Sequence, residues 1–204
     1  MTNTVNFDPH VVLTEKYSEA VLYASTLHRD QTRKGNDIAY VAHLLGVSSL
    51  VLEARGDEDQ AIAALLHDAA EDQGGRPTLD VIKGKFGSRV SGIVKACSDS
   101  LAENPDEKAS WLFRKTEHIA KLAVADDDVI IVAMADKVHN ARAIVSDLSI
   151  HGAKIWKKFN ASSEQILWYY TSNLLVAQER KAPIFLIDAL DRALGEMRGF
   201  SESQ

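Results

Sequence analysis

Residues 63–72 read Ala63-Ala64-Leu65-Leu66-His67-Asp68-Ala69-Ala70-Glu71-Asp72. Four ionisable side chains thus close an otherwise apolar helical run, and burying such groups is costly unless something compensates them. A bound cation does so. His67 supplies an imidazole and Asp68 a carboxylate, a mixed nitrogen and oxygen set that suits Mn, Fe, Zn, Co or Ni rather than Ca or a thiolate-bound metal. If the helix runs on for one more turn, His67 shares a face with Glu71, and Asp68 with Asp72. One pair then holds the metal while Glu71 and Asp72 handle water.

Upstream, Asp57, Glu58 and Asp59 put negative charge where a helix N-terminus favours it. Gly56 reads as the stop of a preceding helix over about 40–54. Before that, QTRKGNDIA at 31–39 breaks the helical pattern around Gly35 and reads as a loop. A first helix is expected from Asp8-Pro9, carrying Val12, Tyr17, Val21, Ala24, Leu27 and His28 at helical spacing. Downstream, Gly74-Gly75 and Pro77 form a turn, Thr78 caps a short helix and Ser88 starts another. Residues 98–108 with Pro105 read as a loop. Helices follow at about 108–124, 128–147, 161–181 and 184–198; VIIVAM at 129–134 is β-branched but continues at helical period. The expected class is all-α, with eight to ten helices.

Two adjacent ligands do not complete a metal site. His43 lies early in the second helix, and Asp136 sits mid-helix in Met134-Ala135-Asp136-Lys137-Val138-His139-Asn140. A buried mid-helix Asp invites the same compensation argument. His43, His67, Asp68 and Asp136 would give two neutral imidazoles and two carboxylates, nearly neutralising a divalent ion. His10, His118, His139 and His151 lack comparable support and are read as surface or packing residues.

The bulk numbers fit this reading. A chain of 204 residues suits one medium domain, here a loose tail over 1–8 and a single domain over 9–204. A hydrophobic content of 46% allows a core without disulfides, and the single Cys97 cannot form one internally. There is neither a secretory pattern at the N-terminus nor an apolar run of membrane-spanning length, so a cytoplasmic protein with no membrane partner is expected. A net charge of −6 argues against nucleic acid as partner but not against a small anion held by local basic residues. The last helices, with Trp168, Tyr169, Tyr170, Phe185 and Leu186, leave both core packing and a homo-oligomer face open.

Taken in order, His28, Arg33-Lys34, Tyr40-Val41-Ala42-His43, the 63–72 run, Phe86-Gly87, Arg114-Lys115 and Ala135-Asp136-Lys137-Val138-His139-Asn140-Ala141-Arg142 resemble the hydrolase domain of the RelA/SpoT family. The likeness runs from about Ala24 to Tyr170 and is strongest to its small hydrolases, the metazoan SpoT homologues and bacterial small alarmone hydrolases. It implies a compact all-helical HD domain in which His43, His67, Asp68 and Asp136 hold one divalent cation, usually manganese. It further implies that Glu71 and Asp72 activate water, that Arg33 and Lys34 flank the nucleotide, and that Asn140 lies beside the nucleoside. Trp168 or Tyr169 falls near an aromatic at the base. Lys137 and Arg142 extend the basic pocket, and Arg114 and Lys115 would reach distal phosphates. The implied substrate is guanosine 3′,5′-bis(diphosphate), losing its 3′ pyrophosphate. Leu44 and Gln73 depart from the family's usual Pro and Thr and leave substrate preference open. An adenosine alarmone, the 2′-phosphate of NADPH or a deoxynucleotide are the alternative substrates; a non-catalytic nucleotide sensor is the alternative class.

Overall fold

The computed structural model describes residues 11–98 and 109–202; the expected tail over 1–8, the helix start at Asp8-Pro9 and the Pro105 loop lie outside them. Among the described residues the chain is all-helical. Its helices are α1 (Glu15–Leu27), α2 (Val41–Glu53), α3 (Glu58–Leu66), α4 (Ala69–Asp72), α5 (Gly75–Phe86), α6 (Ser88–Cys97), α7 (Trp111–Ala123), α8 (Asp127–His151), α9 (Ser163–Glu179) and α10 (Ile184–Glu202).

Two helices form the centre. In α3 every residue from Ala61 to Leu66 is fully buried, and in α8 the run Val129–Ala135 is buried on all sides. A helix apolar all round has to be enclosed, and the alanines at 61, 63 and 64 keep α3 thin enough for close neighbours. It is packed by α1, α2, α6 and α8; α8 is packed by α2, α3, α6, α9 and α10. The start of α3 is fixed by a capping box. Asp57 accepts from the Gln60 amide at 3.0 Å, while the Gln60 side chain accepts from the Asp57 amide at 2.8 Å.

Several local expectations change. The first helix begins at Glu15, capped by the Thr14 hydroxyl, so Val12 precedes it and is exposed. The stop after α2 is Arg55, with φ 65°, rather than Gly56. Thr78 does not cap: α5 already starts at Gly75 behind a left-handed Gly74, and the Thr78 hydroxyl donates back to the Gln73 carbonyl. The long helix runs to His151, then tightens into a 3-10 segment, Gly152–Lys158, that sequence periodicity did not suggest. Most relevant to the site, α3 ends at Leu66. His67 and Asp68 form the turn into α4 instead of continuing one helix.

The 31–39 loop folds as a tight reversal. Arg33 donates its amide to Ile38 at 2.8 Å and Tyr40 to Gln31 at 2.9 Å, with Gly35 at φ 80° at the bend. A non-glycine residue adopts that backbone only with strain. The reversal therefore presents Arg33 and Lys34 towards α8.

Candidate metal centre

The break after Leu66 lets His67 and Asp68 face inwards to the middle of α8, where Asp136 sits one turn before Asn140. From α2, His43 faces the same point. His43, His67 and Asp68 each offer one donor atom within 4.8 Å of the others. Asp136 Oδ1 joins them at 3.3 Å from His43 Nε2 and 3.6 Å from His67 Nε2. Asp68 Oδ2 stands 3.1 Å from His67 Nε2 and 3.6 Å from His43 Nε2. For bonds near 2.1 Å, neighbouring ligand atoms around one cation are about 3.0–3.5 Å apart. The four imidazole–carboxylate separations, 3.1–3.6 Å, lie within or just beyond that range.

The fit is also chemical. His67 donates its Nδ1 proton to the Ala64 carbonyl at 2.8 Å, so Nε2 is the ring atom turned to the carboxylates and open to a cation in place of a proton. That Nε2 is buried and has no well-aligned hydrogen bond, although Asp68 is close. Donor atoms that are near one another but not aimed at one another share a third target, and a divalent cation meets that description. Burial alone would lower the His67 pKa, yet Asp68 and Asp136 outweigh it and hold it well above the ordinary histidine value. Conversely, burial would raise the Asp68 and Asp136 carboxyls. The imidazoles, and Lys137 beside Asp136, hold both well below the usual range. The cluster is built to hold positive charge.

Each candidate ligand has an outer partner. The Tyr40 hydroxyl donates to Asp68 Oδ2 at 2.5 Å; burial and Asp68 push its own pKa up, so it stays a donor. Asn140 donates to Asp136 Oδ1 at 2.5 Å and accepts from the Arg33 guanidinium at 2.7 Å. Lys137 Nζ contacts Asp136 Oδ2 at 2.5 Å. His43 Nδ1 meets His139 Nδ1 at 2.9 Å. Burial, with the neighbouring His43 and Arg33, pushes the His139 pKa down to about 4, leaving a neutral ring.

Glu71 and Asp72 line the same cavity, about 270 Å³, with Arg33, Tyr40, Lys115, His118, Lys137 and the four candidate ligands among its walls. Asp72 stands at its mouth, open to solvent on one side and enclosed on the other, where Gln31 donates to Oδ2 at 2.8 Å. Burial pushes its carboxyl up from the ordinary value. A second cavity, about 370 Å³, shares Arg33, Tyr40, His43 and Asn140 with the first and continues along α8 past Ala143 to Asp147, Lys158, Phe159 and Tyr170. A third cavity, about 540 Å³, lies among α6, α7 and the start of α8 and shares Cys97, His118 and Ala133 with the site.

Of the other residues expected at the site, Lys34 lines the second cavity, and Lys115 and Lys137 stand 5.0 and 5.7 Å from the Tyr169 ring centre. Four are not brought to these walls: Tyr169, buried beneath those two lysines, Lys115 and Lys137, and Arg114, Arg142 and Trp168. Arg114 turns its guanidinium to the Ala109 carbonyl. Arg142 is exposed and acts on the site only through the field it adds at His139. Trp168, 39% exposed, faces outwards because a helix turns successive residues by about 100°; Tyr170 is the residue of α9 that lines the second cavity. Sequence reasoning set aside His118 and His139, and both belong to the site. His139 could have been found from its spacing: it is one residue from Asn140 and three from Asp136 on one helix.

A family profile described as "HD domain" matches residues 20–166, most of the chain. The chain belongs to the HD-domain family. Among curated relatives of this HD-domain protein, a Myxococcus xanthus GTP pyrophosphokinase is 29% identical over 67% of the chain. A probable guanosine-3′,5′-bis(diphosphate) 3′-pyrophosphohydrolase of Synechocystis is 31% identical over 67%. The chain spans only 18% and 17% of those two proteins. The Drosophila melanogaster guanosine-3′,5′-bis(diphosphate) 3′-pyrophosphohydrolase MESH1 is 31% identical, with 69% of this chain and 74% of that one covered. Among solved structures, a metazoan ortholog of SpoT that hydrolyses ppGpp superposes with a TM-score of 0.71 at 27% identity, over 96% of this chain and 99% of its own. A Listeria monocytogenes EGD-e protein matches at 0.62 and 26% identity, over 74% and 96%. These likenesses put the HD domain in the RelA/SpoT branch of the family.

Proposed function

We propose that this protein hydrolyses guanosine 3′,5′-bis(diphosphate), releasing pyrophosphate from the 3′ side, at a site holding one divalent cation, manganese by preference, within one HD domain over residues 9–204. The observation that carries the reading is the shared wall. The cavity containing the four candidate ligands and the acidic pair shares Arg33, Tyr40, His43 and Asn140 with a neighbouring cavity of about 370 Å³, within the range of small-molecule sites.

His43, His67, Asp68 and Asp136 would hold the ion. When bound, it supplies a Lewis acid that lowers the pKa of water and neutralises phosphate charge. Glu71 and Asp72 take the proton of the attacking water, and the raised pKa of Asp72 suits a base that must return that proton. Lys115 and Lys137 line the ligand cavity and answer the charge of the departing pyrophosphate. Arg33, held by Asn140, faces the sugar phosphates, with Lys34 beside it. Asp136, Asn140, Ala143 and Asp147 follow one face of α8 over about 16 Å, a span suited to a nucleotide with a 3′ diphosphate. At the far end Asp147 and Lys158, 3.1 Å apart, present an acceptor and a donor. Guanine offers such a pair an amine and a carbonyl, whereas adenine has an amine and ring-nitrogen acceptors but no carbonyl.

The test is turnover by the purified protein with Mn²⁺ across a panel: guanosine bis(diphosphate), its adenosine counterpart, NADPH and a deoxynucleoside triphosphate. The expected result is fastest release of pyrophosphate from the guanosine compound. Faster turnover of any other member, or unchanged turnover in Glu71→Ala, overturns the proposal.

A further inference from the structure

We infer that His139 is a positioning residue for the metal centre: it holds the His43 ring in its coordinating orientation, and Gly46 is the clearance that lets it do so. The inference rests on the reading of His43 as a ligand.

His43 is buried, at the first turn of α2, and its Nε2 faces the Asp68 and Asp136 oxygens at 3.6 and 3.3 Å. A nitrogen that binds a cation presents a lone pair, so the proton of this ring must sit on Nδ1. The group facing Nδ1 is His139 Nδ1, at 2.9 Å. It must therefore accept, and the two rings meet edge to face with centres 4.8 Å apart. A ring so held cannot rotate without breaking a hydrogen bond inside a packed interior. Ligating histidines characteristically use their second nitrogen in this way, and loss of the outer partner weakens metal binding about 10–100-fold.

The approach is possible because residue 46 has no side chain. A Cβ built on Gly46 would overlap His139 Cδ2 and Nε2, far inside the 3.0 Å that real Cβ atoms keep. Gly46 lies three residues after His43 in α2, so the helix that carries the ligand also carries the gap for its partner. Nothing in the backbone requires glycine there, because Gly46 is not among the glycines of positive φ. The close approach of His139 is what excludes a larger residue.

The test is Mn²⁺ affinity, measured by competition with a chromophoric chelator, in the wild type and in His139→Phe, His139→Asn, Gly46→Ala, His139→Ala and the Gly46→Ala/His139→Ala double variant. Thermal denaturation in EDTA monitors each fold. Phe keeps the ring and removes the acceptor; Asn restores an acceptor near the Nδ1 position. His139→Phe is expected to weaken Mn²⁺ binding about 10–100-fold, with His139→Asn recovering most of the loss. Gly46→Ala is expected to weaken binding about 10-fold alone and to add nothing to His139→Ala, since the overlap is then gone. A purely structural His139 would instead lower the melting temperature in EDTA and leave metal affinity unchanged in the Phe variant. That outcome, or additive effects in the double variant, overturns the inference. If the wild type itself bound no Mn²⁺, the reading of the centre would fail first.

Discussion

With the proposed cation at His67, metal binding and protonation compete for one lone pair, which adds a pH dependence to the stability gained from the metal. Without a cation, His67 has a folded-state pKa raised well above the 6.5 of the free side chain. A raised pKa contributes stability that is fully present below pH 6.5 and is lost as pH rises through the folded value. A divalent ion takes the same lone pair, so it must displace that proton at low pH and meets no such competition at high pH. At free metal a thousand times Kd, binding adds about 4 kcal/mol. For a chain of this length that is a rise of roughly 8–16 °C in Tm. Thermal unfolding followed by circular dichroism, in EDTA and in Mn²⁺, should show this increment well above pH 6.5 and a smaller one below it. Asp136→Asn, which removes a charge from the cluster while keeping its shape, should abolish most of the increment. An increment that is unchanged in Asp136→Asn, or that shrinks as pH rises, would refute the argument that the ion and the His67 proton answer the same charge.

Glu71→Ala and Asp72→Asn should keep Mn²⁺ affinity within a few-fold and lower kcat by about 10²–10⁴, read from parallel metal titrations and steady-state rates. Tyr40→Phe removes the hydroxyl on Asp68 but leaves the ring stacked on His28 at 5.3 Å. It should weaken Mn²⁺ binding about 10–100-fold, with kcat recovering at saturating metal; a rate defect that persists there would place the phenol in the chemistry instead. Leu65→Ala, in the fully buried run of α3, should lower stability by about 2–5 kcal/mol in urea unfolding, with no direct effect on metal affinity at temperatures where the protein stays folded.

Much of the site was legible because its chemistry is incompatible with its surroundings. His67-Asp68 after Ala63–Leu66, and Asp136 inside an apolar helix, are charges where burial penalises charge. Periodicity then gave the helices that carry them. What periodicity could not give was the turn at His67 and Asp68, because both keep near-helical backbone angles and neither is a breaker. Arg55 was hidden by its neighbour: the helix stop is expected at Gly56, while the positive φ falls on Arg55. The one mark His139 carries in the sequence is its spacing from Asp136 and Asn140. Its role comes from a neighbour 96 positions away, which only tertiary packing supplies. Trp168 and Tyr170 were separated by helix phase, which needs the register of α9 against α7 and α8 rather than its composition.

The unbroken course of α8 has a consequence for how substrate choice can change. On the proposed placement of substrate along α8, the single helical rod from Asp136 to Asp147 makes the interval between the reacting end and the base end a fixed gauge. Compounds of a different length cannot be accommodated by sliding one end against the other. Any shift in preference must come from the opposing jaw, the reversal at 31–39 with Arg33, Lys34 and Ile38, together with the Lys158–Phe159 corner. Directed evolution of new specificities is therefore best confined to those positions, leaving the rod untouched.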